Sequence, residues 1–248
     1  MTAIDRFMED VAHRIAPGLP GAARFEADLR RHLGERVEAG EDEAGAVARM
    51  GSPADVATGF LESVEPPIAA PRERLGAFLF DVGLGAAALT GVAALAAWLL
   101  SPRVAIAPAQ PPTEIPLPVA IAIGAMAVLL FLAAILYFPV FETLFGQTAG
   151  KRLFGIVVGK DTGERAGAWA VIVRRIPFLF DIWPFDAAFL LFTARRQRAF
   201  DLAAGTIVFR AEGRHIRRPW VPLALVWGVA VGLGILVGWL TSGAPGSP

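Results

Sequence analysis

The chain has 248 residues, with 23 basic and 23 acidic side chains and no cysteine. Its 55% hydrophobic content and mean hydropathy of +0.54 exclude an ordinary soluble domain, and the missing cysteine excludes disulfides, thiolate metal sites and thiol catalysis. The charge balance conceals a division: residues 1–74 carry 9 basic against 14 acidic side chains, 75–141 only Asp81, Arg103 and Glu114, 142–218 carry 13 basic against 7 acidic, and 219–248 none.

Met1–Arg6 is polar and lacks an apolar core, so it does not read as a signal peptide. Heavy use of Ala, Gly, Arg and Pro points to a GC-rich bacterial genome. Ile4, Phe7, Met8, Val11 and Ile15 recur at helical spacing. Pro17-Gly18 and Pro20-Gly21 break that helix. Phe25, Leu29, Leu33 and Val37 predict a second helix, and Ala44, Val47, Ala48 and Met50 a third that ends at Gly51. A fourth starts with Ser52 as N-cap and Pro53 in its first turn, with Val56, Phe60, Leu61 and Val64 as its apolar stripe. Residues 1–65 therefore read as a soluble helical bundle, near the lower size limit for folding alone. Phe7–Val11, Leu29–Leu33 and Arg49–Ala57 resemble the HAAS-type domain, which implies a cytoplasmic sensing or interaction module. A helical cap without a ligand is the alternative. His13 and His32 read as solvated surface side chains rather than metal ligands. The Pro-rich stretch 66–74 reads as a stiff linker.

Residues 75–100 form a membrane-length apolar segment with one charge, Asp81, and 118–141 a second with none. Ser101–Leu117, rich in proline, is the loop between them. Arg72 and Arg74 precede the first span, and Lys151 and Arg152 follow the second, so both outer ends and the head are placed in the cytoplasm. Arg74 and Asp81 are two helical turns apart, roughly 10 Å of rise along one face. A carboxylate at the depth of Asp81 costs about 2.5–3.5 kcal/mol unless paired or protonated. It reads as an ion, proton or substrate site, or else as a hydrogen-bonded packing residue.

Leu153–Val158 reads as a strand, Lys160–Glu164 as a turn, Ala168–Arg175 as a returning helix, and Thr206–Arg210 as a strand pairing with 153–158. Residues 176–193 are apolar but short, hold Asp181, Pro184 and Asp186, and run straight into Arg195, Arg196 and Arg198. A crossing would carry that basic cluster outside and separate the two strands. The expectation is a re-entrant or interfacial hairpin turning near Asp181–Pro184, permitted where protein or water covers the backbone. An ordinary span is the alternative.

Arg74 and Asp81, then Gly146–Val158, Arg174–Pro177 and Arg195–Thr206, together resemble the RDD family over about residues 72–211. The family takes its name from one arginine and two aspartates, which map to Arg74, Asp81 and Asp201. The resemblance implies a membrane domain and transport, some members being described as sodium/proton antiporter-like. Two departures stand out: Ala199-Phe200 replaces a more polar or glycine-bearing pair, and a further apolar segment follows.

That segment, 219–240, reads as another span with Trp220 and Trp239 at its ends. Gly228, Gly232, Gly234 and Gly238 form two GxxxG patterns suited to close helix packing, within this chain or between two copies. Gly146–Arg152 is not a P-loop: it is one residue short between the glycines, and Arg152 stands where a hydroxyl would hold magnesium. No metal-ligand spacing or nucleophile elbow is found, so neither metal, cofactor nor enzymatic activity is expected. The basic block 195–218 points to anionic lipid head groups or to a topology signal, not to nucleic acid.

The sequence reading is thus a mostly α, multi-pass bacterial inner-membrane protein with an N-terminal soluble bundle and a small cytoplasmic β element. Its N-terminus lies in the cytoplasm and its C-terminus outside. Ion- or solute-transport candidates are Asp81 first, then Asp181 and Asp186, with Arg74, Arg174 and Arg175 as charge partners. The cytoplasmic motif comprises Gly146, Gly150, Lys151, Arg152, Arg195, Arg196, Arg198, Asp201 and Gly205. A membrane-anchored scaffold acting through residues 1–65 on a protein partner is the alternative function.

Overall fold

The computed structural model describes residues 1–99, 117–180, 182–213 and 219–241. Two compact units emerge, one from Met1–Leu75 with Pro139–Ile216, the other from Gly76–Phe138 with Arg217–Pro248.

In the first unit, four helices follow the sequence pattern. They are α1 (Ala3–Arg14), α2 (Ala22–Glu38), α3 (Glu43–Met50) and α4 (Pro53–Glu62). Thr2 opens α1 with a reciprocal capping box to Asp5, Asp42 caps α3 through Gly45 N–H, and Ser52 caps α4 through Asp55 N–H. Ile15, expected as the last turn of the first helix, is extended instead and bridges to Glu164, yet stays buried.

After the head come α7 (Ala149–Leu153), β1 (Ile156–Lys160), α8 (Ala168–Val173), α9 (Ile176–Leu179), α10 (Trp183–Ala188), a 3-10 turn at Phe189–Leu191, α11 (Ala199–Ala203) and β2 (Thr206–Arg210). The strands pair antiparallel, with Ile156 opposite Arg210, Val158 opposite Val208 and Lys160 opposite Thr206. The first strand begins three residues later than the sequence pattern suggests. Thr148 caps α7 through Lys151 N–H, which draws 149–153 into a helical turn.

Val157, Ile207 and Phe209 on one face of the pair join Val11, Ile15, Leu19, Leu33 and Leu61 in a single apolar core. The head is therefore not a bundle with a core of its own. The stretch expected as a linker pairs with the outer edge of β2: Ala69 N–H donates to Val208 O at 3.0 Å, and Arg210 N–H to Pro67 O at 2.8 Å. Proline suits an edge because it needs no ladder partner for its nitrogen. A small cleft lined by His13, Arg14, Thr58 and Arg165 lies between α1, α4 and the turn after β1.

No helix between 176 and 193 exceeds six residues, so among the described residues this stretch contains no helix able to cross a bilayer. Asp181, at the expected turn, lies outside the described residues.

Three long helices complete the chain: α5 (Pro71–Leu99), α6 (Leu117–Phe145) and α12 (Trp220–Thr241). Helix α5 starts four residues before the expected span. Helix α6 runs four residues past the expected charge-free segment and thereby takes in Glu142. In the second unit a Cβ on Gly83 would lie 2.9 Å from both Trp227 Nε1 and Val226 Cγ1, and Trp227 Nε1–H donates to Leu79 O at 3.2 Å. Among the described glycines, Gly83 rather than Gly228, Gly232 or Gly234 is where α5 and α12 approach closely. A Cβ on Gly228, Gly232 or Gly234 would meet nothing within 4 Å.

Candidate functional site

Two stretches, each placing a short helix before a strand, are built alike, with residue i of the first matching i+50 of the second. Each begins at a left-handed residue, Gly146 (φ +67°) or Arg196 (φ +49°). Next comes a buried glutamine whose amide donates to the first carbonyl of its own strand: Gln147 to Ile156 O at 3.0 Å, Gln197 to Thr206 O at 2.9 Å. An extended N-cap residue follows, Thr148 or Arg198, then the five-residue helix α7 or α11. Each stretch then turns at a left-handed glycine, Gly155 (φ +65°) or Gly205 (φ +60°), into β1 or β2. The matched residues Val158 and Val208 face each other at the centre of the strand pair. The motifs are thus related by a local two-fold axis normal to the pair. Arg196 is the one non-glycine at positive φ among the described residues, a conformation that costs energy and is held by its surroundings.

Lys151 and Asp201 occupy matched positions in the two short helices and carry opposite charge. Lys151 and Arg175 both form ion pairs with Glu142, whose side chain is fully buried. Asp201, also fully buried, is ringed by Arg174 Nε at 2.9 Å, Arg198 Nη2 at 3.1 Å and Arg74 Nη1 at 3.6 Å. Arg74 also donates to Val208 O at 3.0 Å. Asp186 accepts from Phe200 N–H at 2.9 Å and pairs with Arg198 Nη1 at 3.6 Å. Three buried carboxylates thus hold five cations from α5, α7, the end of α8 and the approach to α11. Glu142 supplies the link to α6.

Burial by itself raises the Asp201 carboxyl, but Arg174 and Arg198 outweigh it and hold it well below the usual carboxylate range. The Lys151 ammonium is pulled down to about 7, by burial first and by Arg174 and Arg175, against the pull of Glu142.

In the second unit, Asp81 is 6% exposed and its Oδ1 accepts the Tyr137 hydroxyl at 2.8 Å. Tyr137 is the sole tyrosine in the chain.

Of the sequence candidates, Arg74, Arg174, Arg175, Lys151, Arg198, Asp186 and Asp201 come together. Arg74, Arg174 and Arg175, expected as charge partners of the transport site, form ion pairs with Asp201 and Glu142. Gly150 is buried in α7, while Arg152, Arg195 and Arg196 are exposed. Sequence reasoning missed Glu142, Tyr137 and the two glutamines. A lone acid four residues before Gly146, in an otherwise basic region, was the available signal for Glu142. Among the described residues, no group of three His, Asp or Glu side chains is arranged to hold a metal.

Three stretches, Pro71–Leu95, Gly124–Phe145 and Trp220–Val237, are long and apolar enough to cross a membrane. The chain is thus mostly helical, with three candidate membrane-spanning helices and a small two-stranded sheet beside the buried arginine–carboxylate network. The chain belongs to the RDD family, which matches residues 68–205, more than half its length. No curated protein and no solved structure matches it.

Proposed function

We propose that this chain is a multi-pass protein of the bacterial inner membrane that moves a small solute or ion, coupled to a proton or cation at Asp81. The observation that carries the reading is a buried carboxylate, hydrogen-bonded to a tyrosine hydroxyl, inside a helix of membrane length and hydropathy. Ionisable groups at such depth are costly and mark ion or proton paths by default. The Tyr137 hydroxyl suits the role: it donates to an ionised Asp81 and can turn to accept from a protonated one. The N-terminus lies in the cytoplasm and the C-terminus outside, following the basic flanks. Arg74 in the first turn of α5 and Glu142 in the last turn of α6 both belong to the buried charge network, where breaking a desolvated pair is costly. No catalytic step is assigned.

The test is flux in proteoliposomes carrying a pH-sensitive dye, driven by sodium, potassium or lithium gradients. The wild-type protein is expected to move protons against at least one cation, and Asp81→Asn to abolish that while melting like the wild type. Absence of flux from both forms under every gradient would defeat the transport reading. A second reading, a signalling scaffold, is favoured by the core that residues 1–65 share with the strand pair and by the cleft beside His13 and Arg165. There the HAAS-like head would bind a protein partner, in one copy or as a homo-oligomer, and substitutions in the cleft would abolish partner capture without touching flux.

A further inference from the structure

Residues 176–192 present an apolar surface that no long helix accounts for. Phe180, Phe185, Leu191 and Phe192 are 67%, 76%, 80% and 83% exposed. The same stretch is anchored inward: Asp186 is buried against Phe200 N–H and Arg198. One side of α10 is therefore pinned to the charged network while its aromatic side faces away. Basic residues bracket the stretch, Arg174 and Arg175 before it and the exposed Arg195 and Arg196 after it.

The two-fold relation of the motifs supplies an independent indication of what covers this surface. Rotation about an axis normal to the strand pair exchanges Gly146 with Arg196 and leaves each face of the pair in place. The chain therefore enters both motifs from the same side. At the first motif the incoming segment is the apolar end of α6, with Val140, Leu144 and Phe145 exposed in this same unit. At the second it is 183–192.

We propose that residues 176–192 lie in the plane of an anionic leaflet, with their aromatic side chains at the acyl boundary and Arg195 and Arg196 among the lipid head groups. Short amphipathic helices with bulky apolar residues on one side and basic flanks bind membranes in this way. Among the described residues no helix here is long enough to cross, and the exposed Arg195 and Arg196 complement an anionic surface. Lipid contact here is independent of whether Asp81 carries protons.

The absence of cysteine makes the test direct. Single variants Phe185→Cys and Phe192→Cys in the full chain carry a nitroxide label in phosphatidylglycerol vesicles. Asp161→Cys serves as a water control and Ile135→Cys as a control in the long apolar helix. Depth is read from oxygen against nickel-chelate accessibility. Both labels are expected about 5–10 Å below the phosphates. Water-like values matching Asp161→Cys overturn the proposal, as do mid-bilayer values matching Ile135→Cys. A second arm replaces phosphatidylglycerol by phosphatidylcholine, or combines Arg195→Gln with Arg196→Asn, an exchange that keeps a residue tolerant of positive φ. Both changes are expected to shift the labels toward water. Depths unmoved by either overturn the anionic assignment.

Discussion

Asp201 shows how one side chain sets the terms for its neighbours. It is fully buried with three guanidinium groups around it, and Arg174 is itself 1% exposed. Replacing such a carboxylate leaves desolvated cations facing one another. Asp201→Asn is expected to cost about 3–5 kcal/mol, the range for breaking a buried pair. Denaturant melts in detergent would measure the loss, and the exposed Arg152→Gln should stay within about 0.5 kcal/mol of wild type. The pH dependence has two signs. The depressed Asp201 carboxyl contributes stability that is present above its unfolded value of about 3.9 and is lost as pH falls toward its lower folded value. Lys151 behaves oppositely. With its folded value at about 7 and its unfolded one near 10.4, the unfolded chain binds more protons between them, so stability rises across that window. A Lys151→Met variant should flatten the rise. Melts that show the same slope in wild type and Lys151→Met would remove Lys151 as its source.

At the level of helices and strands, much of the fold could be read in advance. The head helices follow apolar spacing and cap residues, and those signals are local. The β pair was recoverable because Thr206–Arg210 is β-branched and follows a glycine. The internal repeat was not recoverable. Residues 146–160 and 196–210 agree only at Gln147/Gln197, Ala149/Ala199, Gly155/Gly205 and Val158/Val208. The shared feature is a backbone path, and different side chains satisfy it: Gly146 and Arg196 both reach positive φ, and Thr148 caps α7 with its hydroxyl whereas Arg198 N–H donates to the Asp201 carboxylate. The GxxxG pattern could not name its partner for a related reason, since small residues permit close approach within this chain or between two copies but do not select which. Gly83 is the position under constraint. Gly83→Leu is expected to disrupt packing between α5 and α12, seen as a lower melting temperature in detergent, whereas Gly232→Leu should leave it unchanged. The reverse order of effects would restore the stripe as the packing surface.

For the whole chain, the head and the strand pair stand or fall together. Deleting residues 1–65 would strip Val157, Ile207 and Phe209 of cover. The expected outcome is aggregation rather than a folded membrane remnant, read by size-exclusion chromatography in detergent. A monodisperse, folded truncation would show that the shared core is dispensable. Surface changes on the head that leave this core intact are therefore the better way to separate a signalling role from transport.

Hydropathy and charge are sums over neighbouring residues, so the chain alone was enough to determine the apolar segments, the basic middle, the head helices and the family. Which charges pair is not a local sum. Arg74, Glu142, Lys151, Arg174, Arg198 and Asp201 are distant in the chain and become partners only when α6, α7 and α11 converge on the two-fold strand pair. Burial then makes each pairing obligatory, because a desolvated charge has no water to fall back on. That selection of partners, with Gly83 chosen over the glycine stripe and the head sharing a core with the strand pair, was decided by tertiary structure alone.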